Sequence, residues 1–380
     1  MNDTATHSAS PLLPPRPRGR LKIYLGYAAG VGKTFQMLRD AHDAQRRAID
    51  VVVGYFETHK RQDTLALAES LEVVPRRILP YRDRSFEEMD TDAILARKPQ
   101  LCLVDEFAHT NVPGSPRAKR WEDVLVLLDS GIDVWTTLNV QHIESLNDDV
   151  AEITGVRVRE TVPDWVLKQA AEVQFIDTTP EALLNRLKRG AVYTADMQRN
   201  AVERFFRESN LRALRDLAIR EAAHEVQARQ DAFVDVTQTS QSLSAGSLRD
   251  RVLVVVTSDP ASASLIRRGR RMADYLGGDC LAVFVHLSES VTDLPPKERE
   301  AVEAHLNFAR NLRIETRVLP AQKPAAAIVD FARRNRATHI LFARPPKSAR
   351  ASHRVIRETI SLSNDVQVIV AANTPTATRP

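Results

Sequence analysis

Residues 21–37 read LKIYLGYAAGVGKTFQM, and this stretch decides the fold of the first half of the chain. Residues 21–25 alternate between apolar and polar side chains, as a short strand does, and a helical pattern of apolar residues begins after Thr34. The glycine-rich segment between them ends in Gly-Lys-Thr. The order of strand, glycine-rich turn and helix is typical of a phosphate-binding loop and predicts a nucleotide site.

The residue types in this loop suit the chemistry of phosphate binding. Glycines let backbone N–H groups close around phosphate oxygens, and the helix N-terminus adds the positive end of its dipole. The Lys33 ammonium can reach the β- and γ-phosphates, and the Thr34 hydroxyl can ligate Mg²⁺. The predicted nucleotide-binding residues of the loop are Gly26, Gly30, Val31, Gly32, Lys33 and Thr34.

The spacing of the loop departs from the general pattern, which places its first glycine six positions before the lysine. Tyr27 occupies that position here, and Gly26 lies one residue earlier. A glycine-rich turn that merely joins a strand to a helix is therefore the alternative interpretation. The order of strand, loop and helix favours the nucleotide site.

Length and composition indicate a soluble globular protein of two or three domains. The chain has 380 residues, 43% hydrophobic and 27% charged, with a formal net charge of +4. Acidic and basic residues are interspersed, so no basic stripe indicates nucleic-acid binding. The sequence has neither an apolar run long enough to span a membrane nor the apolar core of a signal peptide, so we expect a cytoplasmic protein. The two cysteines, Cys102 and Cys280, lie in apolar runs, which is typical of buried reduced thiols.

A second apolar run ends in polar side chains. Residues 49–56, IDVVVGYF, suit a strand that is buried on both faces of a parallel sheet. Glu57, His59 and Arg61 follow it, at the end of the strand where α/β folds place their sites. These three are candidate switch or phosphate-contacting residues, although the same segment equally suits the cap of the next helix.

Residues 100–106, QLCLVDE, predict another buried strand, which ends in two acids. Asp105 is expected to bind Mg²⁺ through its water shell, and Glu106 to orient or activate a water molecule. Many buried strands end in an acid, but this one follows the glycine-rich loop with βα units between them. We expect the strands that carry the two motifs to be neighbours in the sheet.

The polar loop after Glu106, residues 109–123, reads HTNVPGSPRAKRWED and is the candidate for a moving element. Its density of Pro, Gly, Arg and Lys favours a functional loop over a plain connector. Arg117, Lys119 and Arg120 are candidates for phosphate contacts, in the same subunit or a neighbouring one. A solvated charged surface is the alternative interpretation.

Residues 131–138, GIDVWTTL, predict a strand whose carboxyl end carries Asn139, Gln141 and His142. An Asn or Gln at this position could sense the phosphate of a bound nucleotide. A lone histidine is more often structural. Glu106 and Asn139 are therefore the catalytic candidates if the protein hydrolyses ATP.

Five segments of the first half resemble the N-terminal cytoplasmic domain of the KdpD family, which are sensor kinases that respond to potassium and osmotic stress. In chain order they are GYAAGVGKT, VGYFETHKRQDT, LVDEFAHTNVPGSPRAKRWED, GIDVWTTLNVQHIESLNDDV and GVRVRETVPD. The resemblance covers residues 18–232 and includes the early position of Gly26, since that family also has a glycine seven positions before the lysine. It implies ATP and Mg²⁺ as ligands. It also implies that the partner is a sensor kinase or response regulator of a potassium-uptake system.

The pattern divides the chain into two domains with short flanking segments. Residues 1–19 read as a disordered N-terminus, and residues 20–234 as the nucleotide-binding domain with a helical extension over 180–234. Residues 235–249 are rich in Ser, Thr and Gln, as linkers are. Five strand-like runs alternate with helical patterns over residues 250–373, which predicts a flavodoxin-like sheet, and residues 374–380 form a tail.

The second unit resembles a universal stress protein domain, whose nucleotide loop is glycine-rich. Here the corresponding segment, residues 343–353, reads ARPPKSARASH, and no glycine follows Gly278. Backbone without glycine cannot close around a triphosphate, so we expect a degenerate ATP site. Four basic residues there could attract an anionic ligand such as a cyclic dinucleotide, or form a solvated loop: Arg344, Lys347, Arg350 and Arg354.

The resemblance also implies membrane helices and a histidine kinase module, and the sequence contains the pattern of neither. We therefore expect a regulatory protein that cannot phosphorylate histidine, either a stand-alone sensor half or a part of a longer protein. A working P-loop ATPase is the rival. A scaffold with an inactive loop is disfavoured, because Lys33, Thr34, Asp105 and Glu106 are all intact.

Overall fold

A computed structural model of the protein describes residues 17–57, 62–82, 84–188, 205–238, 250–286 and 293–372. For residues 226–238, which end a long helix, it describes the backbone alone. Two α/β units follow one another along the chain, and each is built on a parallel sheet covered by helices. Residues 1–16 of the predicted disordered N-terminus, residues 239–249 of the predicted linker and the whole predicted tail lie outside the described residues.

The first unit supplies a six-stranded sheet and a separate hairpin. Its strands are β1 (Leu21–Gly26), β2 (Val51–Tyr55), β3 (Glu72–Val73), β4 (Arg77–Tyr81), β5 (Arg84–Glu88), β6 (Leu101–Val104), β7 (Asp133–Asn139) and β8 (Ala170–Phe175). Its helices are α1 (Lys33–Arg46), α2 (Gln62–Ala68), α3 (Thr91–Arg97), α4 (Arg120–Asp129), α5 (Asn147–Thr154), α6 (Asp164–Leu167), α7 (Pro180–Lys188) and α8 (Glu208–Gln238). Two short 3₁₀ turns, Val140–His142 and Glu144–Leu146, follow β7.

The second unit supplies a five-stranded sheet. Its strands are β9 (Arg251–Val256), β10 (Asp279–His286), β11 (Glu315–Pro320), β12 (His339–Ala343) and β13 (Gln367–Ala371). Its helices are α9 (Ala261–Tyr275), α10 (Pro296–Asn311), α11 (Pro324–Arg334) and α12 (Arg350–Leu362).

The strand order of the first sheet is β3-β2-β6-β7-β1-β8, with every pair parallel. Strand β7 therefore lies between β1, which leads into the glycine-rich loop, and β6, which leads into Asp105. The expectation that these two strands are neighbours is wrong. The inserted strand brings a third side chain to the same edge, because Asn139 at its end pairs with Gly26 at the end of β1.

The buried strands read as continuous apolar runs because helices cover both faces of the sheet. Strands β2 and β6 are buried along their whole length. Cys102 and Cys280 are free and buried, as expected, and burial raises the pKa of each thiol to about 12. The antiparallel β4–β5 hairpin and the edge strand β8 were not expected from the sequence.

The second sheet has the order β11-β10-β9-β12-β13, again with every pair parallel. Numbered within the unit this is 3-2-1-4-5, whereas a flavodoxin-like sheet has the order 2-1-3-4-5. The predicted parallel α/β sheet is confirmed, and its predicted flavodoxin order is wrong. The predicted basic loop is also shorter than expected, because α12 begins at Arg350 and includes Arg354.

The two units contact one another through charged side chains of α9. Arg267 is buried against α5, where its Nε and Nη2 each lie 2.8 Å from a carboxylate oxygen of Asp148. Arg271 of the same helix pairs with Asp149. None of the helices in the described ranges has the length and apolar character that crossing a membrane requires.

Candidate functional site

A cleft of about 150 Å³ opens at the carboxyl ends of β1, β6 and β7. This is the edge at which α/β sheets bind ligands. Pockets for whole small molecules measure roughly 300–1,000 Å³, so this cleft suits the phosphate end of a nucleotide. It is lined by Ala29, Gly30, Lys33, Thr34, Asp105, Glu106, Phe107, Ala108, His109, Thr137, Leu138, Asn139, His142 and Glu160.

The glycine-rich loop presents the N-terminus of α1 without a side-chain cap. Gly30 and Gly32 have φ angles of 90° and 110°, a region that residues with a side chain rarely adopt. Gly32 occupies the N-cap position, where no side chain bonds to the first N–H groups of the helix, and the first turn contains no acid. These N–H groups therefore suit an anion.

Gly26 is required by close packing against the loop. A Cβ at this position would lie 2.7 Å from Cγ2 of Val31 and 2.9 Å from Cδ of Lys33. Contacts this short do not occur between carbon atoms in proteins, so a side chain at residue 26 would force the side chains of Val31 and Lys33 to shift. The glycine that departs from the general spacing thus has its own structural role, beneath the lysine.

Lys33 is the cation of the cleft, and it is only 8% exposed. Its Nζ donates to the backbone oxygen of Ala28 at 3.1 Å and to Oδ1 of Asn139 at 2.5 Å. Asn139 therefore contacts the residue that the sequence predicts to bind phosphate, although it comes from a different strand. The cleft brings the two together at its centre.

Thr34 and Asp105 form a pair of oxygen donors beside Lys33. The Thr34 hydroxyl lies 3.2 Å from both carboxylate oxygens of Asp105, which is 3% exposed. The hydroxyl of Thr137 donates to the same carboxylate and orients it. Hydroxyl and carboxylate oxygens are the ligands that Mg²⁺ prefers, so these residues fit the ion that the sequence predicts.

Glu106 has a backbone conformation that points to a specialised position. Its φ is 55°, which is uncommon for a residue with a side chain, and its N–H donates to the Thr137 hydroxyl at 3.2 Å. The side chain of Glu106 is 40% exposed and lines the cleft. A carboxylate held here can accept a proton from water or orient it.

His142 lines the cleft as a neutral imidazole. Its Nδ1 lies 2.7 Å from the backbone oxygen of Glu160, which only accepts, so Nδ1 carries the proton. Burial lowers the pKa of His142, and the charges of Lys33 and Lys119 act in the same direction. Gln141 is not among the residues that line the cleft.

Several predicted site residues lie elsewhere. Arg120 is fully buried, with its guanidinium 3.6 Å from the ring centre of Tyr55 and its Nη2 3.1 Å from Glu88. A buried guanidinium in this setting supports the floor of the cleft, so the predicted phosphate contact of Arg120 is wrong for this structure. Arg117 pairs with Asp123 at 2.7 Å, away from the cleft.

Glu57, the one remaining candidate after the second strand that the structure describes, is not brought to the glycine-rich loop. Glu57 accepts a hydrogen bond from the Tyr55 hydroxyl at 3.1 Å and does not line the cleft. His59 and Arg61 lie outside the described residues. Lys119 donates to the Thr110 hydroxyl at 2.7 Å and caps the loop that precedes α4.

Arg186 is a site residue that the sequence analysis did not find. It lies on α7, and its Nη1 is 3.4 Å from the backbone oxygen of Gly30. The same atom lies 3.9 Å from the position of a Cβ on Gly32. Arg186 thus reaches the outer side of the glycine-rich loop. No local sequence signal marks it, because 156 residues separate it from Gly30.

A second cavity of about 420 Å³ lies beside the N-terminal half of α9 and the ends of β12 and β13, and the first unit contributes Arg157 to its lining. Its basic lining residues are Arg157, Arg267 and Arg268. None of the four basic residues predicted to attract an anion lines it. The predicted binding of a cyclic dinucleotide at those residues stays a prediction.

Comparison with known proteins identifies the family of the first unit. A family described as "KdpD: Osmosensitive K+ channel His kinase sensor domain" matches residues 17–226. The chain belongs to the KdpD sensor-domain family. The match to the sensor protein KdpD of Escherichia coli K12 has 41% identity over 362 residues and covers 95% of this chain and 40% of that protein. The match to the putative sensor protein KdpD of a Synechocystis strain has 46% identity over 272 residues and covers 72% of each chain.

The KdpD sensor domain thus accounts for the matched region, and the chain spans about two-fifths of the Escherichia coli relative. Solved structures of universal stress proteins are also similar to parts of the chain. One, in complex with cAMP, has a TM-score of 0.27 and 14% identity and covers 33% of this chain and 98% of that chain. One from Archaeoglobus fulgidus has a TM-score of 0.26 and 21% identity and covers 32% of this chain and 92% of that chain.

Proposed function

We propose that this KdpD-type chain binds ATP with Mg²⁺ in the cleft and acts as a nucleotide-dependent regulator of a potassium-related two-component system. The observation that carries the proposal is the convergence of Lys33, Thr34, Asp105 and Asn139 from three strand ends on one uncapped helix N-terminus. The loop glycines and the helix would bind the phosphates, and Lys33 would neutralise them. Thr34 and Asp105 would hold Mg²⁺, which supplies charge neutralisation at the phosphates.

The partner would be a sensor kinase or a response regulator that controls potassium uptake. The membership of the KdpD family supports this class of partner. A regulator of this kind works only if ATP has different affinities for two conformations of the protein. The segment of residues 109–123 directly after the Asp105–Glu106 pair is the element that we propose to respond.

The response of this segment can be measured by hydrogen exchange. Its backbone is tied to its surroundings by Asn111, whose N–H donates to the Ala118 oxygen at 2.9 Å, and by Val112, whose N–H donates to Glu88 at 2.9 Å. We expect exchange over residues 109–123 to differ among the apo, ATP-bound and ADP-bound protein. Identical protection in the three states would remove this segment as the responsive element.

A second candidate function is hydrolysis of ATP. The position of Glu106 favours it, because an exposed carboxylate lies in the cleft beside the proposed Mg²⁺ ligands. Glu106 would orient the attacking water, and Asn139 would contact the terminal phosphate. Phosphate release well above the background rate would support this function over simple binding.

The test of the proposal is calorimetric titration of Lys33→Ala with ATP and Mg²⁺. A charge-assisted phosphate contact is worth about 1.5–3 kcal/mol, so we expect the affinity to fall at least about tenfold. Lys347→Ala removes the same charge from the second unit and serves as the matched control. If folded Lys33→Ala binds ATP as tightly as the control, the proposed nucleotide site is wrong.

A further inference from the structure

A compact group of potential metal ligands lies on α8, outside the cleft. Glu221, His224 and Glu225 each offer a ligand atom, and these atoms all lie within 4.8 Å of one another. The spacing of three and four residues places the side chains on one face of the helix. Glu221 and Glu225 are buried, at 6% and 3% exposed, and His224 is partly buried.

The group faces a small cavity between the two units. The second unit contributes Arg271, Asp274 and Tyr275 of α9, and the first contributes Ser145, Asp164 and Lys168 opposite α8. Any ion at this position would therefore contact both units. None of these residues belongs to the cleft that contains Lys33.

The charges around this cavity leave one carboxylate without compensation. Asp274 pairs with both Lys168 and Arg270, and Arg271 pairs with Asp149. The cations that face the cavity are thus already engaged by other acids.

Glu221 is the carboxylate that remains. Asp164 accepts a hydrogen bond from the Ser145 N–H at 3.2 Å. The carboxylate of Glu221, in contrast, makes neither a hydrogen bond nor an ion pair with any part of the chain that the structure describes. A buried carboxylate without a partner requires either a proton or a cation.

His224 is oriented as a metal-binding histidine is. It forms a hydrogen bond to the backbone of Asp274, and its ring contacts the ring of Tyr275 with 4.4 Å between their centres. Histidines that bind metal ions use one ring nitrogen for the metal and give the other N–H to a carbonyl or carboxylate. The second nitrogen of His224 is then directed at the two glutamates.

We propose that Glu221, His224 and Glu225 bind a divalent transition-metal ion of the zinc class at the boundary between the two units. One imidazole nitrogen and two carboxylate oxygens are a donor set that Zn²⁺ accepts, with a water molecule in the fourth position. The ion neutralises Glu221 while Asp274 keeps its bonds to Lys168 and Arg270. Its role is to strengthen the contact of α8 with α9.

The experiment uses the full chain after treatment with a chelator, titrated with Zn²⁺ in competition with a coloured indicator. We expect one site per chain in the wild type, and Glu221→Gln and His224→Gln each to weaken it by at least about tenfold. Glu303→Gln and His353→Gln change the same residue types on the second unit and are the matched controls. They should bind Zn²⁺ as the wild type does.

The thermal unfolding of the same proteins separates metal loss from misfolding. Without metal, Glu221→Gln should unfold at the same or a higher temperature than the wild type, because the substitution removes an uncompensated buried charge. Zn²⁺ should raise the unfolding temperature of the wild type and the controls, but not that of Glu221→Gln. The absence of a stoichiometric site in the wild type, or a site that both variants retain, would overturn the proposal.

Discussion

Lys33 donates a hydrogen bond of 2.5 Å from Nζ to Oδ1 of Asn139, across 106 residues of chain. The bond joins the lysine of the glycine-rich loop to the end of the strand inserted between β1 and β6. It gives Asn139 a role before any nucleotide is present, which is to hold the Lys33 ammonium at the centre of the cleft.

Two substitutions of Asn139 should separate the loss of its hydrogen bond to Lys33 from the effect of a negative charge at the same place. Asn139→Ala removes the acceptor for Lys33 and should change ATP affinity only a few-fold, because the backbone cradle and the ammonium remain. Asn139→Asp adds a negative charge beside the phosphates and should weaken ATP binding at least about tenfold, which corresponds to about 1.4 kcal/mol. Calorimetric titration at fixed Mg²⁺ measures both. Equal affinities for the two variants would show that Asn139 lies away from the phosphates.

Loss of the Asp105 carboxylate should affect ATP binding, and loss of the Glu106 carboxylate should affect phosphate release. Asp105→Asn removes a negative oxygen from the proposed Mg²⁺ site and should weaken Mg²⁺-dependent ATP binding, whereas Glu106→Gln should retain binding and suppress phosphate release. The comparison requires titrations with and without Mg²⁺ together with a phosphate-release assay. If Glu106→Gln lost affinity as strongly as Asp105→Asn, the division of roles between the two acids would be wrong.

Arg267 should stabilise the contact between the two units. Arg267→Met removes the buried cation of Asp148 and Glu144 and leaves Asp148 only its bond to the half-exposed Arg157, and the loss of one partner from a buried pair costs about 3–5 kcal/mol. Urea unfolding of the full chain measures the loss. The exposed pair of Arg333 and Asp365 provides the control, since Arg333→Met should cost about 0–1 kcal/mol. Equal losses in the two variants would mean that Arg267 is not buried in solution.

His142 should make stability depend on pH. Burial lowers its pKa in the folded protein, so the unfolded chain takes up the proton more readily. Its contribution to stability is therefore complete above the unfolded value of about 6.5 and is lost as the pH falls below it. We expect His142→Gln to flatten the decline in unfolding free energy between about pH 7 and 5, relative to the wild type and to His353→Gln. An unchanged decline would contradict the depressed pKa.

The sequence predicted what depends on local pattern. The strand, loop and helix around Lys33 are encoded within 17 consecutive residues, and the apolar runs before Asp105 and Asn139 each end at the edge of the sheet, as expected. The strand order could not be predicted in this way, because pairing partners are chosen by packing between distant segments. Arg186 was missed for the same reason, and Arg120 was assigned to phosphate because its charge is visible in the sequence and its burial is not.

The insertion of β7 between β1 and β6 also sets the order in which the cleft can be completed during synthesis. Lys33, Thr34 and Asp105 leave the ribosome before Asp133–Asn139 exists, and in the described sheet β1 and β6 are joined only through that strand. A nascent chain that ends before residue 133 therefore carries both halves of the site without the strand that unites them. Because domains fold as they emerge, the proposed nucleotide would find a complete cleft, and would stabilise the fold, only once β7 has been added.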